Sequence, residues 1–375
     1  MKKLSYISNQ VIPSKSAESI FVAKSCDELA SRFDIQVLCP YRKDFYIESD
    51  VKQHYSLKNN LNIKKLPFFS TLKGKYAIFH LMAMLHIIKH KTDLVYSRTV
   101  IGAYLSTLIG KDSILELHSL PHEKSVDGKL LRLIANHRRL VKFVAISDAL
   151  KQDLSDIFGI AKDKIQVEHD ATDVNPLVNC VKEESSNTTI LGYVGSLYPG
   201  KGMEVISAMS KLGDFENVEY HIYGGSEDEI KHWQGKCSKN VIFRGYIPYR
   251  NIFDAINTFD ICLLPNQPSV LCAGYNNNKS NKTDIGKYTS PMKMFDYMTS
   301  MKPIISSDLP ILREVLNEEI CYFAPHDNYD AWVNQVKYIN LEQLEAQEKA
   351  RKAQKICIEY YNWASRMNRV LGHNG

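Results

Sequence analysis

The sequence lacks the features that would place it in several specialised classes of protein. Its eight cysteines are scattered singly, with no C-x-x-C pair and no cluster of cysteine and histidine at the spacing of a zinc site. This distribution indicates reduced thiols in a cytoplasmic protein. The longest apolar run, residues 76–88, contains His80 and His86 and is shorter than the roughly 20 residues that cross a bilayer. We therefore expect no membrane span, and the first eight residues hold too short an apolar run for a signal peptide.

Composition and charge predict a globular protein of two domains with one basic half. The 375 residues are 44% apolar and 24% charged, which is typical of a folded chain that is too long for a single core. Residues 1–180 contain 26 lysines and arginines against 19 aspartates and glutamates, a balance of +7, whereas the rest of the chain has a balance of −2. A basic half fits contact with anionic lipid or with a phosphate-bearing substrate, although an ordinary solvated surface is the commoner cause.

Short β-branched runs alternate with helical patterns through both halves of the chain. We predict strands at residues 4–7, 35–39, 63–66, 94–96, 114–117 and 143–146, and then at 189–194, 218–223, 241–243, 261–264 and 302–305. Helices are predicted between most of them, with Ser147 as an N-cap, and one long helix is predicted over residues 342–369. This alternation is typical of the α/β class, in which a parallel sheet carries helices on both faces. The polar segment 170–189 is the predicted linker between two such domains, and no repeat of solenoid period argues for an array.

Two polar side chains come just after predicted strands of the first half. Arg98 follows the strand at 94–96, and His118 directly follows the strand at 114–117. Ligands of such sheets sit at the carboxyl ends of the strands, so both residues are candidates for a site. A purely structural role is the alternative for each.

A glycine-rich loop opens the second half. Residues 195–202, G-S-L-Y-P-G-K-G, join a predicted strand to a predicted helix, and Lys201 lies where the loop meets the helix. The spacing matches neither G-x-x-x-x-G-K-[ST] nor G-x-G-x-x-G, so the loop is either a phosphate loop of another kind or a plain turn. The acidic run 227–229 is similar to the D-x-D pattern that holds a metal in some enzymes, but it fits the first turn of a helix, and we assign no metal.

A second candidate site is the helix start at residues 290–298, S-P-M-K-M-F-D-Y-M. Ser290 is the predicted N-cap and Pro291 the predicted first helical residue. The free N–H groups of a helix start attract phosphate, Lys293 adds a charge in the first turn, and Asp296 is placed to accept hydrogen bonds from a ribose. An ordinary capped core helix is the alternative. The long polar loop 265–289 before it is either a lid over a ligand or an insertion.

Several motifs in this order resemble the retaining GT-B glycosyltransferases of family four, also called group 1. They are G-Y-V-G-S with Lys201, V-I-F-R-G at 241–245, D-I-C-L-L-P at 260–265, Y-T-S-P-M-K-M-F-D-Y-M at 288–298, K-P-I-I at 302–305 and L-R-E-V at 312–315. The likeness is dense over residues 189–325 and looser in the first half, where E-L-H at 116–118 is similar to the family.

The resemblance implies an α/β protein of GT-B fold, with two Rossmann-like domains facing a cleft. It implies an acceptor-binding domain over residues 1–180, a nucleotide-sugar-binding domain over 181–355 and a C-terminal helix over 356–375 that packs back on the first domain. It also implies binding roles for residues of the second domain: Gly195, Ser196, Lys201, Gly245, Tyr246, Tyr288, Ser290, Pro291, Met292, Lys293 and Asp296. His118 and Lys201 are the implied catalytic residues.

The resemblance assigns each of these residues to one part of the donor. Lys201, the Gly195–Ser196 backbone and the start of the helix at 290–293 would hold the diphosphate. Asp296 would bind the ribose, and the turn at 245–246 would border the base. His118 would bind a hydroxyl of the donor sugar. This chain departs from the family at Tyr288 and Asp296, where a Glu-x7-Glu pair is common, and at Ser196, where a basic residue is common.

The implied activity is transfer of a hexose from a nucleotide sugar, such as a UDP- or GDP-hexose, to a glycan or lipid-linked acceptor in surface polysaccharide or glycolipid assembly. A lysine and a helix start can stabilise the leaving diphosphate without a metal or other cofactor. We expect peripheral contact with the inner face of the cell membrane through the basic first domain, and no nucleic-acid partner. A nucleotide-sugar epimerase and a non-catalytic scaffold subunit of the same fold are the alternatives.

Overall fold

The computed structural model describes residues 1–42, 50–68, 75–175, 188–212, 217–271 and 284–372. The chain forms two compact units, one made of Met1–His169 with Trp363–Gly375 and the other of Asp170–Asn362. The domain limit predicted between residues 180 and 181 falls in the segment 176–187, outside the described residues. So does nearly half of the predicted lid, since residues 272–283 are also outside them.

The first unit is built on a parallel sheet of seven strands in the order β3-β2-β1-β4-β5-β6-β7. The strands are β1 (Lys3–Ile7), β2 (Asp34–Tyr41), β3 (Asn62–Pro67), β4 (Leu94–Ser97), β5 (Asp112–Leu117), β6 (Leu140–Ala145) and β7 (Ile165–Val167). The helices are α1 (Ala17–Ala30), α2 (Val51–Tyr55), α3 (Lys75–His90), α4 (Val100–Leu108), α5 (Val126–Ile134), α6 (Asp148–Phe158) and, from the end of the chain, α14 (Trp363–Leu371). The prediction of Ser147 as an N-cap is confirmed, because its hydroxyl accepts from the N–H of Leu150 at 3.2 Å.

The second unit repeats this architecture with six parallel strands in the order β10-β9-β8-β11-β12-β13. The strands are β8 (Thr189–Val194), β9 (Val218–Tyr223), β10 (Val241–Gly245), β11 (Ile261–Leu264), β12 (Ile304–Ser307) and β13 (Tyr322–Ala324). The helices are α7 (Met203–Met209), α8 (Glu227–Gln234), α9 (Ile252–Asn257), α10 (Met292–Thr299), α11 (Pro310–Arg313), α12 (Tyr329–Leu341) and α13 (Gln343–Tyr360). The predicted α/β fold with parallel sheets is confirmed in both units.

The strand order of each sheet reverses beside its first strand. β8 lies between β9 and β11, and β1 lies between β2 and β4. In open parallel sheets a crevice forms outside the carboxyl ends of the strands at such a reversal, and ligands bind there. The loop that follows β8 therefore occupies the place where a ligand of the second unit is expected.

The predicted end of β2 before Pro40 is wrong, because the strand continues to Tyr41. β1 pairs with β2 only as far as Ile7 opposite Leu38. Beyond that pair, β1 offers no further carbonyl that an N–H group on this side of β2 would have to donate to. The missing N–H of Pro40 therefore costs no hydrogen bond there.

The single helix predicted over residues 342–369 is also wrong, because the chain breaks between α13 and α14. The carbonyl of Tyr361 accepts from the N–H of Thr172 at 2.9 Å, and Thr172 forms a parallel bridge with Asn362. No glycine or proline marks this break in the sequence. A distant segment of the chain, and not a local signal, ends α13.

The acidic run at 227–229 forms the first turn of α8, as predicted. Ser226 and Glu229 make a reciprocal capping box there, in which the hydroxyl accepts from the N–H of Glu229 and the carboxylate accepts from the N–H of Ser226. Within the described part of the chain, no helix combines the length and apolarity that crossing a membrane requires.

Candidate functional site

The glycine-rich loop after β8 is held by hydrogen bonds within its own unit. The N–H of Gly195 donates to the carbonyl of Tyr223 at 2.9 Å. The carboxylate of Glu204 accepts from the N–H groups of Gly200 at 2.9 Å and Gly202 at 3.3 Å. Gly202 has a φ of +115°, which favours glycine, and it is the N-cap residue of α7. Because three of these N–H groups already have acceptors, an anion bound at this loop would depend chiefly on side-chain cations.

The start of α10 differs from the prediction by one residue. Pro291, and not Ser290, is the N-cap, and its carbonyl accepts from the N–H of Met294 at 2.9 Å. The hydroxyl of Ser290 accepts instead from the N–H of Asp170 at 3.0 Å. The predicted capping role of Ser290 is therefore wrong, since this hydroxyl fixes the segment that enters the second unit. Met292 becomes the first helical residue and is buried.

Four of the predicted donor-binding residues meet around the buried ring of Tyr193. The amine of Lys293 lies 3.8 Å from the centre of that ring and donates to the carbonyl of Lys201 at 3.5 Å. The Tyr193 hydroxyl lies within hydrogen-bond distance of the carbonyls of Ser196, at 2.8 Å, and Lys201, at 3.1 Å. A Cβ built on Gly195 would lie 3.6 Å from the Lys293 amine. We call Tyr193, Gly195, Ser196, Lys201 and Lys293 the Tyr193 cluster.

Lys293 is the electrostatic centre of the Tyr193 cluster. Lys293 is 9% exposed, and burial lowers the pKa of its amine well below the ordinary value. The positive charge of Lys201 lowers that pKa further. Among the described residues, no carboxylate forms an ion pair with Lys293. An anion bound beside the amine would supply the charge partner that the fold itself does not.

Asp296 lies on the same helix but makes different contacts. It is 2% exposed, and the hydroxyl of Thr172 donates to its Oδ1. Burial, with the charge of Asp296, raises the pKa of the Tyr249 hydroxyl. One turn on, the N–H of Asn175 donates to the Thr299 hydroxyl at 3.2 Å. α10 thus holds the segment 170–175, and ribose binding by Asp296 stays a prediction.

The remaining predicted residues of the second unit lie at its sheet edge and in the turn before α10. Gly245 ends β10, and its carbonyl accepts from the N–H of Gly224 at 2.7 Å. A Cβ on Gly224 would lie 1.9 Å from the carbonyl oxygen of Gly195, so glycine at this position lets the loops after β8 and β9 approach each other. Tyr246 follows and is 41% exposed. Tyr288 ends a short 3-10 turn, and the amine of Lys287 lies 5.6 Å from the centre of its ring.

His118 belongs to the first unit, where it follows β5 as predicted. Its Nε2 lies 2.7 Å from Oε1 of Glu116, which is completely buried. A guanidinium N–H of Arg366 donates to the same Oε1 at 2.7 Å, and the hydroxyl of Tyr96 donates to the other carboxylate oxygen. Burial lowers the pKa of His118 to about 4, and the charge of Arg98 contributes in the same direction. His118 is therefore a neutral imidazole around pH 7.

Burial raises the pKa of the Glu116 carboxyl, but the charge of Arg366 and the hydrogen bond from His118 outweigh this effect. Its pKa therefore lies well below the ordinary value, and the group is ionised. Sequence reasoning missed this network. The one local signal was a glutamate within the apolar strand pattern of β5, and nothing local linked it to Arg366, 250 residues away.

Comparison with known proteins agrees with this architecture. The family model described as Glycosyltransferase Family 4 matches residues 19–175, and the model described as Glycosyl transferases group 1 matches residues 188–340. No curated protein matches the sequence at a significant level.

Similar solved structures extend over essentially the whole chain. HepE from Anabaena, in complex with UDP-glucose, is 13% identical with a TM-score of 0.71, over 99% of this chain and 98% of that one. Sucrose-phosphate synthase from Thermosynechococcus elongatus is 15% identical with a TM-score of 0.70, over 99% and 97%. A TarM variant from S. aureus is 12% identical with a TM-score of 0.68, over 100% and 99%. At such identities the likeness shows the fold, and that fold is GT-B.

One family model thus matches most of the first sheet-bearing unit and the other most of the second, and the fold agrees with both, so this chain belongs to the family 4, group 1 glycosyltransferases.

Proposed function

We propose that this glycosyltransferase moves a hexose from a nucleoside-diphosphate sugar to a glycan or lipid-linked acceptor, with retention of configuration at the transferred carbon. The product would be a surface polysaccharide or a glycolipid. A UDP-hexose is the first donor to test, because the similar HepE structures contain UDP-glucose or UDP.

The observation that carries this proposal is the Tyr193 cluster. It brings the backbone of Lys201 and the buried amine of Lys293 to the carboxyl end of β8, where the strand order reverses. Departure of a nucleoside diphosphate leaves negative charge on its terminal phosphate. Lysine amines in a site with little water stabilise that charge as it develops. In the retaining reaction, the acceptor attacks from the face that the phosphate leaves, and a phosphate oxygen takes the proton of the acceptor hydroxyl.

The remaining roles follow the resemblance. His118 would bind a hydroxyl of the donor sugar, Asp296 the ribose, and the turn at Gly245 and Tyr246 the base. Tyr288 would border the sugar, where many members of the family have a carboxylate. Each role is tested by the same donor-binding assay.

Donor binding is tested first, by thermal shift against UDP, GDP, ADP and CMP sugars. We expect one nucleotide class to stabilise the protein and Lys201→Ala to lose that shift. Lys211→Ala is the matched control, because Lys211 is an exposed lysine that follows α7 in the same unit. No shift with any donor at millimolar concentration would contradict the proposal and favour a scaffold subunit. Epimerised donor in the absence of acceptor would favour an epimerase instead.

The stereochemical part of the proposal has its own test. Once a donor is known, the anomeric configuration of the product is measured by NMR. We expect the same configuration as in the donor. An inverted product would refute retention and leave the glycosyltransferase activity standing.

We also propose peripheral contact with an anionic membrane through α3. Leu81, Leu85 and Ile88 are 63%, 60% and 55% exposed and recur at the spacing of one helix face. The charges of Lys64 and Lys89 lie near enough to contribute to the lowered pKa of His86, after burial, so the surroundings of this face are basic. An apolar helix face with a basic border is typical of binding at a lipid interface.

Sedimentation with vesicles tests this contact. We expect binding to vesicles that contain anionic lipid, weaker binding in high salt, and loss of binding in Leu85→Glu. Leu344→Glu is the control, since Leu344 is 85% exposed on α13 of the other unit. Equal binding to neutral and anionic vesicles, or to the two variants, would contradict the proposal.

A further inference from the structure

The hydrogen bond between His118 and Glu116 determines which nitrogen of the imidazole carries a proton. Nε2 lies 2.7 Å from Oε1 of a carboxylate that is ionised and fully buried. An ionised carboxylate only accepts hydrogen bonds, so Nε2 must donate. A neutral imidazole has one N–H, and the other nitrogen, Nδ1, is then an acceptor.

The Glu116 carboxylate is itself fixed by groups from two other elements. Nη2 of Arg366, on α14, donates to Oε1 at 2.7 Å and to the carbonyl of Glu168 at 3.0 Å, and its Nε donates to the carbonyl of His169 at 2.7 Å. Tyr96 of β4 donates to Oε2. Arg366 and Tyr96 are completely buried. Rotation of the carboxylate would break these bonds, so its orientation toward His118 is built into the unit.

The surroundings of His118 disfavour a second proton on the ring. Glu116 is the acidic group that faces it, and Arg98 and Arg366 are the basic ones. The rings of Phe21 and His118 pack in a T-shaped arrangement with their centres 4.7 Å apart. The guanidinium groups of both arginines lie 4.7 Å from the centre of the Phe21 ring. His118 keeps 19% of its side chain exposed, and no hydrogen bond to Nδ1 is found among the described residues.

We propose that Glu116 is a positioning residue that holds His118 as the Nε2–H tautomer, so that Nδ1 presents a lone pair to the donor sugar. The group recognised there must then donate a hydrogen bond. A sugar hydroxyl does so, whereas a fluorine or a methyl ether at the same carbon does not. This inference rests on the proposed function for the identity of the ligand, but the tautomer can be measured without any ligand.

The tautomer is tested by NMR of the full-length protein labelled with ¹⁵N and ¹³C in histidine. The His118 signals are identified by their loss in His118→Asn. We expect a protonated Nε2 and an unprotonated Nδ1 at neutral pH. In Glu116→Gln the amide can donate to Nε2, and we expect a shift toward the Nδ1–H tautomer. A protonated Nδ1 in the unaltered protein would overturn the inference, whatever the activity of the protein proves to be.

Kinetics test whether the tautomer matters to the reaction. We expect Glu116→Gln to lower kcat/KM about tenfold or more, the effect of one mispaired hydrogen bond in a buried site. Donor analogues in which the hydroxyl that binds Nδ1 is replaced by hydrogen or fluorine should have equally low kcat/KM values with the unaltered enzyme. The difference in kcat/KM between the donor and these analogues should be smaller in Glu116→Gln. Glu168→Gln is the matched control, because Glu168 is a buried carboxylate whose side chain pairs with Arg369 of α14 and does not contact His118.

Glu116→Gln leaves Arg366 buried without its carboxylate, and this could prevent folding. A second variant keeps the proposal testable in that case. Glu116→Gln with Arg366→Met removes both charges and avoids an uncompensated ion. We expect the same change of tautomer in this pair. Unchanged tautomer and unchanged kcat/KM in either folded variant would refute the positioning role, while loss of activity in both Glu116→Gln and Glu168→Gln would indicate a structural one.

Discussion

Replacing Lys293 by methionine separates the binding role of this amine from a structural one. The residue is 9% exposed, and within the described part of the chain its amine makes a single hydrogen bond, of 3.5 Å, to the carbonyl of Lys201. The contact with the ring of Tyr193 at 3.8 Å contributes about 0.5–2 kcal/mol. Against this, replacing a poorly compensated buried ion by an apolar group of similar volume often stabilises a protein by about 1–4 kcal/mol.

Lys293→Met should therefore change the stability of the ligand-free protein and its affinity for a ligand in opposite directions. We expect Lys293→Met to leave the ligand-free protein as stable as before or up to about 1 kcal/mol more stable, which raises Tm by about 2–4 °C. We expect its affinity for the nucleoside diphosphate to fall by about 10- to 100-fold, because a hydrogen bond to a charged group contributes about 1.5–3 kcal/mol.

Calorimetric titration and thermal unfolding of the same preparations check both effects. Lys211→Met is the control, since this exposed lysine should alter neither value. A loss of about 2 kcal/mol or more of stability with unchanged affinity would refute the reasoning and make the amine a structural element.

The pH dependence of binding follows from the same burial. Without ligand, the pKa of Lys293 lies well below its unfolded value of about 10.4. Between these two values the unfolded chain binds more protons, so this group's contribution to stability rises with pH across that window. A bound diphosphate favours the charged amine and raises its pKa, so donor binding should take up a proton. Titrations in buffers of different ionisation enthalpy measure this uptake, and uptake of the same size in Lys293→Met would contradict the assignment.

Two further predictions concern stability. Thr172→Val removes the hydroxyl that donates to the buried Asp296 carboxylate, and thermal unfolding should show a loss of about 1–3 kcal/mol of stability. Thr172→Ser keeps a hydroxyl and should retain most of that stability. Equal losses in the two variants would exclude the hydrogen bond as the cause. For His118, the pKa of about 4 lies below the unfolded value of about 6.5, so its contribution to stability rises as pH rises from 4 to 6.5. The stability of His118→Asn should be flatter across that range, and an unchanged profile would show that another group governs it.

The fold could be predicted because its strands carry their own signal. Runs such as residues 189–194 and 261–264 are apolar and β-branched, and their buried position in the sheets follows from that composition. The Tyr193 cluster was partly predictable for the same reason: Lys201 and Lys293 each lie where a loop meets a helix. The role of the Tyr193 ring, which lies between the two lysines, could not be predicted, because in the sequence Tyr193 is one of several apolar residues of β8.

Partners that come from distant segments were not predictable. Ser290 has the side chain of an N-cap, but its hydroxyl is occupied by the N–H of Asp170. Asp296 has the position of a ribose ligand, but Thr172 donates to its carboxylate. For Ser290, a tertiary contact from segment 170–175 overrides the local capping rule. For Asp296, the same segment adds a hydrogen bond that the sequence did not indicate, and ribose binding stays a prediction. The break after α13 has the same origin.

Lys293 and Arg366 are both buried cations, but they differ in how their charge is compensated. Arg366 is completely buried, but Glu116 and the carbonyls of His169 and Glu168 surround its guanidinium. Its charge is compensated within the unit by the ionised Glu116 carboxylate. Lys293 has an aromatic face and one long hydrogen bond, with the positive charge of Lys201 nearby. Keeping an uncompensated amine in this position destabilises the ligand-free protein, and an arriving diphosphate would remove that cost. The binding energy of the donor would then be largest at the phosphate from which the sugar departs, which is where a transferase needs it.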